Sequence, residues 1–324
     1  MKKKLRQSRW PIAKGRRRRP RSLTLRVPLF AVRLFLGFCL LVTLAHSRQA
    51  QQLNLSNPEE AVKASRKIHC SLKDGEPVVF WWRGHVYSRR PGEKDRKVFN
   101  VEGMNTRACA TVTNPQGGYG YRMVSREVMF YLDPETNQIL RTWKNPWTGK
   151  DVEVIHVAND PVNQRPTFAQ GPAGPYQFNA IFKDGQVLVL TEVPLFYPNP
   201  LAGDYQSYVG GTYQAIEMFG LYLKESDLLD ATKNAVDNVA ISWTRVSQWL
   251  PWMEMGDRPG QLMFHAAGMR LKRWDDLPEF MKQEISARYP IYQTPPPLDD
   301  TRPNETSWTY FKKILDAKRN KAKN

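Results

Sequence analysis

The feature that most constrains this chain is a period-two alternation of apolar and polar side chains across its middle, interrupted at short intervals by turn residues. Between residues 78 and 88, Val78, Phe80, Trp82, Gly84 and Val86 fall on one face. Val79, Trp81, Arg83, His85 and Tyr87 fall on the other, because successive side chains of a strand point to opposite sides. Further strands are predicted over 97–113 (with a bend at Gly103), 119–132, 139–144, 152–157, 179–182, 187–193, 212–223, 239–246 and 261–267. They are separated by turn signals such as Pro91-Gly92, Asn114-Pro115-Gln116-Gly117-Gly118 and Lys183-Asp184-Gly185. Connections this short suit antiparallel neighbours and leave no room for the crossover helices of a parallel sheet. The expectation is a mainly β fold, an antiparallel up-and-down or meander barrel that removes exposed edges, with a two-sheet β-sandwich as the alternative.

A few short helices are predicted around this sheet. Asn57 caps the first, with Pro58 at its opening position and Glu60 completing a capping box. Others are predicted over 226–235, from a cap at Asp276 with Glu279 to about 287, and over 306–321. The stretch 194–211 reads as irregular, and 290–303 is Pro-rich. The domain plan is thus a basic leader over 1–47, an antiparallel β domain over 48–290, and a Pro-rich linker with a terminal basic helix over 291–324.

The leader explains a misleading charge. The formal net charge is +17. Residues 1–47 hold 13 of the 48 Lys and Arg and none of the 31 acids, so the remainder carries 35 basic against 31 acidic side chains. Those charges are interspersed, without the basic stripe that tracks phosphates, and nucleic acid is not an expected partner. Within the leader, an uninterrupted apolar run from Leu34 to Ala45 has the length of a signal-peptide core, and Ala45-His46-Ser47 places small residues at a cleavage site. The expectation is export, to a periplasm for instance, after cleavage near Ser47. The alternative is an uncleaved anchor through 27–45, the one route by which a membrane is expected as a partner. Cys70 and Cys109 could pair in an oxidising compartment or remain buried thiols.

No nucleophile elbow, phosphate loop, dinucleotide fingerprint or Cys-x-x-Cys motif is present, and the sequence leaves any cofactor unassigned. Candidate ligand-binding residues are Trp81, Arg83 and His85 on the mixed face of the first strand, Arg122 and Arg126 on the third, Trp252, and His265. Turned inward, these aromatic and basic side chains would suit a small, partly apolar ligand, an anionic amphiphile or a flat organic acid. Turned outward, they are merely solvated. Trp249-Leu250-Pro251-Trp252-Met253 is an apolar segment where a polar loop belongs, suited to plugging a barrel end or packing on the sheet. His156 with Asp160 is a weak candidate acid–base pair for a hydrolase. The four histidines beyond the leader lack the close spacing of metal ligands, so no metal site is assigned. A third reading, an envelope interaction module, rests on the basic tail and Trp308.

Four segments carry a resemblance to a known family. They are Phe130-Tyr131-Leu132-Asp133-Pro134-Glu135-Thr136, Trp143-Lys144-Asn145-Pro146-Trp147-Thr148-Gly149, residues 154–163 and Trp249-Leu250-Pro251-Trp252-Met253. Together they resemble a mostly bacterial family of exported proteins, domain of unknown function 1838, over roughly 57–290. The resemblance implies a single domain and transfers no activity or catalytic residue.

Overall fold

In the computed structural model, residues 52–114, 117–208 and 212–322 are described. The leader, with its signal-peptide or anchor reading, lies outside them. The first helix, α1 (Pro58–His69), opens where its sequence dictates: Asn57 accepts hydrogen bonds from the N–H groups of Glu59 and Glu60. Glu60 does not complete the box. Its carboxylate takes the N–H of Asn54 instead.

Three long strands follow as a meander: β1 (Val78–Arg89), β2 (Arg96–Thr113) and β3 (Tyr119–Leu132). Short strands come next, β4 (Thr142–Lys144), β5 (Asp151–Glu153), β6 (Val157–Asn159), β7 (Thr167–Phe168), β8 (Gln170–Gly171) and β9 (Gly174–Pro175). A second meander comprises β10 (Ile181–Lys183), β11 (Gln186–Tyr197), β12 (Tyr213–Lys224), β13 (Ala240–Ser247) and β14 (Gln261–Leu271), with the one-turn helix α2 (Glu225–Leu229) after β12. β14 pairs antiparallel with β1, so the two meanders fuse into one sheet in the order β10-β11-β12-β13-β14-β1-β2-β3-β6, with β7 beside β3. Strands β11 and β14 run longer than expected. Pro194 sits inside β11 rather than ending it, opposite Ile216 of β12. β10 covers only the first residues of β11, so the missing N–H of Pro194 falls on an open edge and removes no ladder bond.

The sheet is curled. Five strand spacings separate β12 from β3, about 24 Å if the sheet were flat. Yet Glu217 of β12 is close enough to perturb Glu127 of β3, and both line one cavity. The barrel expected from the sequence nevertheless does not close among the described residues, since β10 and β6 end the hydrogen-bonded order unpaired with each other. The chain leading from β6 to β10 carries Pro161, Pro166, Pro172 and Pro175, none of which can donate to a ladder. The open, curled sheet fits the two-layer sandwich alternative better than a closed barrel: its two meanders face each other across the concave side, and the other two described sheets are two-stranded ribbons, β4-β5 and β8-β9.

Of the helices, α3 (Glu279–Arg288) lies on the outer face of the sheet. It buries Met281 and Ile285 against Val79, Met104, Val128 and Phe130 of β1–β3. Its N-cap is Pro278, while Asp276 instead accepts the N–H of Arg273 one turn earlier. The Pro-rich stretch after α3 is tied down along its length. Arg126 donates to the carbonyls of Ile291 and Thr294, Arg122 donates to that of Leu298, and Arg302 pairs with Asp160 and Asp300. α4 (Ser307–Lys321) follows, capped by Thr306, and packs Trp308 and Phe311 into the largest apolar cluster. Trp308 is 1% exposed. The terminal segment is therefore part of the fold, and its tryptophan is spent on packing. No described helix is long and apolar enough to cross a membrane.

Behind α1, Cys70 and Cys109 form a disulfide. Arg66 is buried beside it, donating to the carbonyl of Ser71 and the hydroxyl of Thr111 and pairing with Asp74 at 2.6 Å.

Candidate functional site

The concave side of the curled sheet forms a partly open cavity of about 350 Å³. Its walls come from the residues that alternation placed together: Phe80 and Trp82 of β1, Asn105 and Arg107 of β2, and the odd-numbered residues of β3 from Met123 to Tyr131. The other meander adds Glu217 and Phe219 of β12, Trp243 and Arg245 of β13, and Phe264 of β14. Where β6 and β10 leave the sheet open, Asn163, Asn304 and Ser307 contribute to the wall.

Gly103 is essential to this geometry. It lies opposite Trp82 in the β1–β2 register, and a Cβ there would come within 2.7 Å of the indole. Only glycine lets the Trp82 ring lie flat across β2. From there the ring meets Trp243 edge-on at 6.3 Å, and Trp243 meets Phe264 at 5.6 Å. The indole N–H groups of Trp82 and Trp243 are buried and have no hydrogen-bond partner among the described residues. An unpaired buried donor costs about 1–3 kcal/mol, which an ordinary core avoids.

Charge is concentrated in this apolar wall. Arg245 pairs with Glu217 and also donates to the hydroxyl of Tyr213. Burial works against its charged form, but the Glu217 carboxylate and then the Tyr213 hydroxyl outweigh burial and raise its pKa. Glu127 accepts from Asn159 Nδ2 at 2.7 Å. Burial pushes its carboxyl up, and the Glu217 carboxylate pushes it in the same direction. Arg107 is lowered to about 10, first by burial and then by the Arg270 guanidinium, and so stays charged near neutrality.

The residues singled out from the sequence lie elsewhere. Trp81, Arg83, His85 and His265 are on the outward face, where His85 and His265 are cross-strand partners. Arg83, His85 and His265 share an outer groove of about 430 Å³ with Glu102, which accepts from Trp81 Nε1 at 2.8 Å. Arg122 and Arg126 hold the C-terminal segment, as described above. Trp252 is buried among Phe99, Tyr131 and Trp143, and its neighbour Leu250 lines the cavity. The apolar segment 249–253 thus packs against the sheet beside the cavity.

His156 and Asp160 have separate partners. His156 is buried and stacked on Tyr131, with Nδ1 accepting the N–H of Tyr131 at 3.1 Å. Burial, and secondly the Arg141 guanidinium, lower its pKa to about 4. Asp160 is taken up by Arg126 and Arg302, and neither residue lines the cavity. No cluster of three or more His, Cys, Asp or Glu suited to a metal occurs among the described residues.

The cavity residues were legible as a face but not as a site. Phe80, Trp82 and Val86 read as a plain core face, and nothing in the spacing of Arg107, Glu127, Glu217 and Arg245 shows that they share one space. The signal available was inward parity for three of them: Glu127, Glu217 and Arg245 each lie an even number of residues from cavity-lining apolar neighbours on their own strands, whereas Arg107 shares its strand's cavity-lining face only with Asn105.

Fold and site together define a curled antiparallel-sheet protein with an aromatic, charge-bearing interior cavity. The chain belongs to the family described as protein of unknown function (DUF1838), whose family model matches residues 75–315, from just before β1 into α4. A search of curated proteins returns no match.

Proposed function

We propose that this protein is an exported binding protein that holds a small, partly apolar molecule inside its curled sheet. The observation that carries this reading is the cavity of about 350 Å³, within the range of small-molecule sites, walled by Trp82, Trp243, Phe219 and Phe264. Interiors of folded domains are otherwise filled to crystal-like density. The unpaired indole donors and the charges of Arg107 and Glu127 supply the few polar groups that orient a ligand.

Export, or anchoring through residues 27–45, belongs to the same proposal. The basic leader with its apolar core supports it, and so does the Cys70–Cys109 bond, since disulfides persist mainly in oxidising compartments such as the periplasm. Separate partners for His156 and Asp160 support binding rather than a hydrolase built on that pair. Burial of Trp308 in the domain likewise speaks against its use as an exposed docking residue.

Native mass spectrometry of the full chain, purified without denaturation, tests the proposal. A co-purifying small molecule released on denaturation is expected. A protein that carries only water, and gains no mass when incubated with small aromatic compounds, would overturn it.

A further inference from the structure

The two arginines of the cavity are held differently. Arg245 is neutralised by Glu217. Arg107 has no carboxylate within ion-pair distance among the described residues. Its Nε donates to Asn105 Oδ1 at 2.7 Å, and its guanidinium lies over the Phe80 ring, 4.4 Å from the centroid. These contacts fix the plane of the guanidinium and occupy Nε, while the two Nη nitrogens make no hydrogen bond among the described residues. On the adjacent strand, Glu127 is engaged by Asn159 instead.

A largely desolvated cation without an ion-pair partner is costly, and proteins seldom keep one so; the Glu127 carboxylate acts on Arg107 only from beyond ion-pair distance. An arginine stacked on an aromatic ring and pinned at Nε presents its Nη edge as a ready fork for a planar anion, with little rotamer freedom left to lose. The remaining charges set the size of that anion. One open guanidinium, sharing the cavity with the carboxyls of Glu127 and Glu217, matches a single negative charge and disfavours a dianion such as a phosphate monoester.

We propose that Arg107 anchors the ligand of this cavity, and that the ligand is a small monocarboxylate with a flat apolar body. The carboxylate sits on the Nη edge of Arg107, and the body packs among Phe80, Trp82, Phe219 and Trp243. This assignment rests on the reading of the cavity as a binding site and adds to it the head group and the residue that selects it.

The test compares two probes of the same shape, 2-naphthoate and 2-naphthamide, by titration calorimetry against the full-length protein. A charge-assisted bidentate contact in a desolvated site should favour the carboxylate at least tenfold. The preference should persist in 0.5 M salt, because a buried pair is poorly screened. Arg107→Gln should reduce the two affinities to within about twofold of each other while the amide still binds. Arg107→Lys, which keeps the charge but not the fork, should retain only part of the preference. If neither variant folds, as judged by circular dichroism, the wild-type ratio decides alone. Equal binding of both probes by the wild type, or an undiminished preference in folded Arg107→Gln, overturns the anchor and leaves the cavity reading standing. Binding of neither probe overturns the anchor as well, and native mass spectrometry showing an empty protein would then remove the cavity reading with it.

Discussion

Breaking the Cys70–Cys109 bond should cost the domain about 4 kcal/mol. The two cysteines are 39 residues apart in sequence. In the chain-entropy account, tying a loop of that length removes about 13 cal/mol/K from the unfolded ensemble, hence about 4 kcal/mol at 25 °C. Both sulfurs are fully buried, packed with Val62, Tyr121, Met123 and Ala169. Reduction leaves those contacts in place, whereas a Cys70→Ala/Cys109→Ala variant also loses packing, so the variant should fall further than the reduced protein. For a domain of this size, 4 kcal/mol corresponds to a fall in Tm of roughly 8–16 °C. The assay is urea unfolding followed by tryptophan fluorescence, with and without reductant. The midpoint should drop on reduction and the slope should rise, because an uncrosslinked unfolded chain exposes more surface. A midpoint unmoved by reduction, with free thiols counted to confirm that the bond was broken, would refute the loop-entropy reasoning.

Two further outcomes follow from packing and protonation. Trp308→Ala should cost about 3–5 kcal/mol, because the ring is buried edge-on against Tyr213 at 4.7 Å; a loss under 1 kcal/mol by urea unfolding would show that α4 is not part of the folded unit. His69 and His156 both have pKa values lowered to about 4, chiefly by burial, with Arg107 and Arg141 respectively adding to the effect. Between pH 6.5 and 4 the unfolded chain binds protons that the native state refuses, so stability should fall as pH falls through that window, by up to roughly 3 kcal/mol for each histidine. His156→Gln should remove about half of the histidine contribution, read as the difference between the wild-type and variant unfolding free energies at pH 7 and pH 4; parallel curves would exclude it.

How much of this was legible in the sequence follows from what each signal encodes. Alternation and turn chemistry are local, and they place β1, β2, β3, β12 and β13 to within a residue or two of their ends. The Asn57 cap and the start of α4 are equally local. Strand ends set by partners were less legible. Pro194 reads as a break until β12 is known to lie on one side of it and open edge on the other. The terminal stretch reads as a linker because its ties are made by side chains of β3, far away in sequence.

Alternation by itself determined that this chain makes antiparallel strands with two chemically different faces. It is symmetric between those faces, and so it could not say which one would become concave. That was decided by long-range contacts: β14 pairing with β1, Trp82 lying over Gly103, and α3 covering the outer side of β1–β3. The curl that results carries Glu217 and Arg245 across to Glu127 and Arg107, groups that no sequence spacing relates. The cavity and its open guanidinium therefore belong to the tertiary structure, because a charge acts through distance in space and the curl of the paired strands sets that distance.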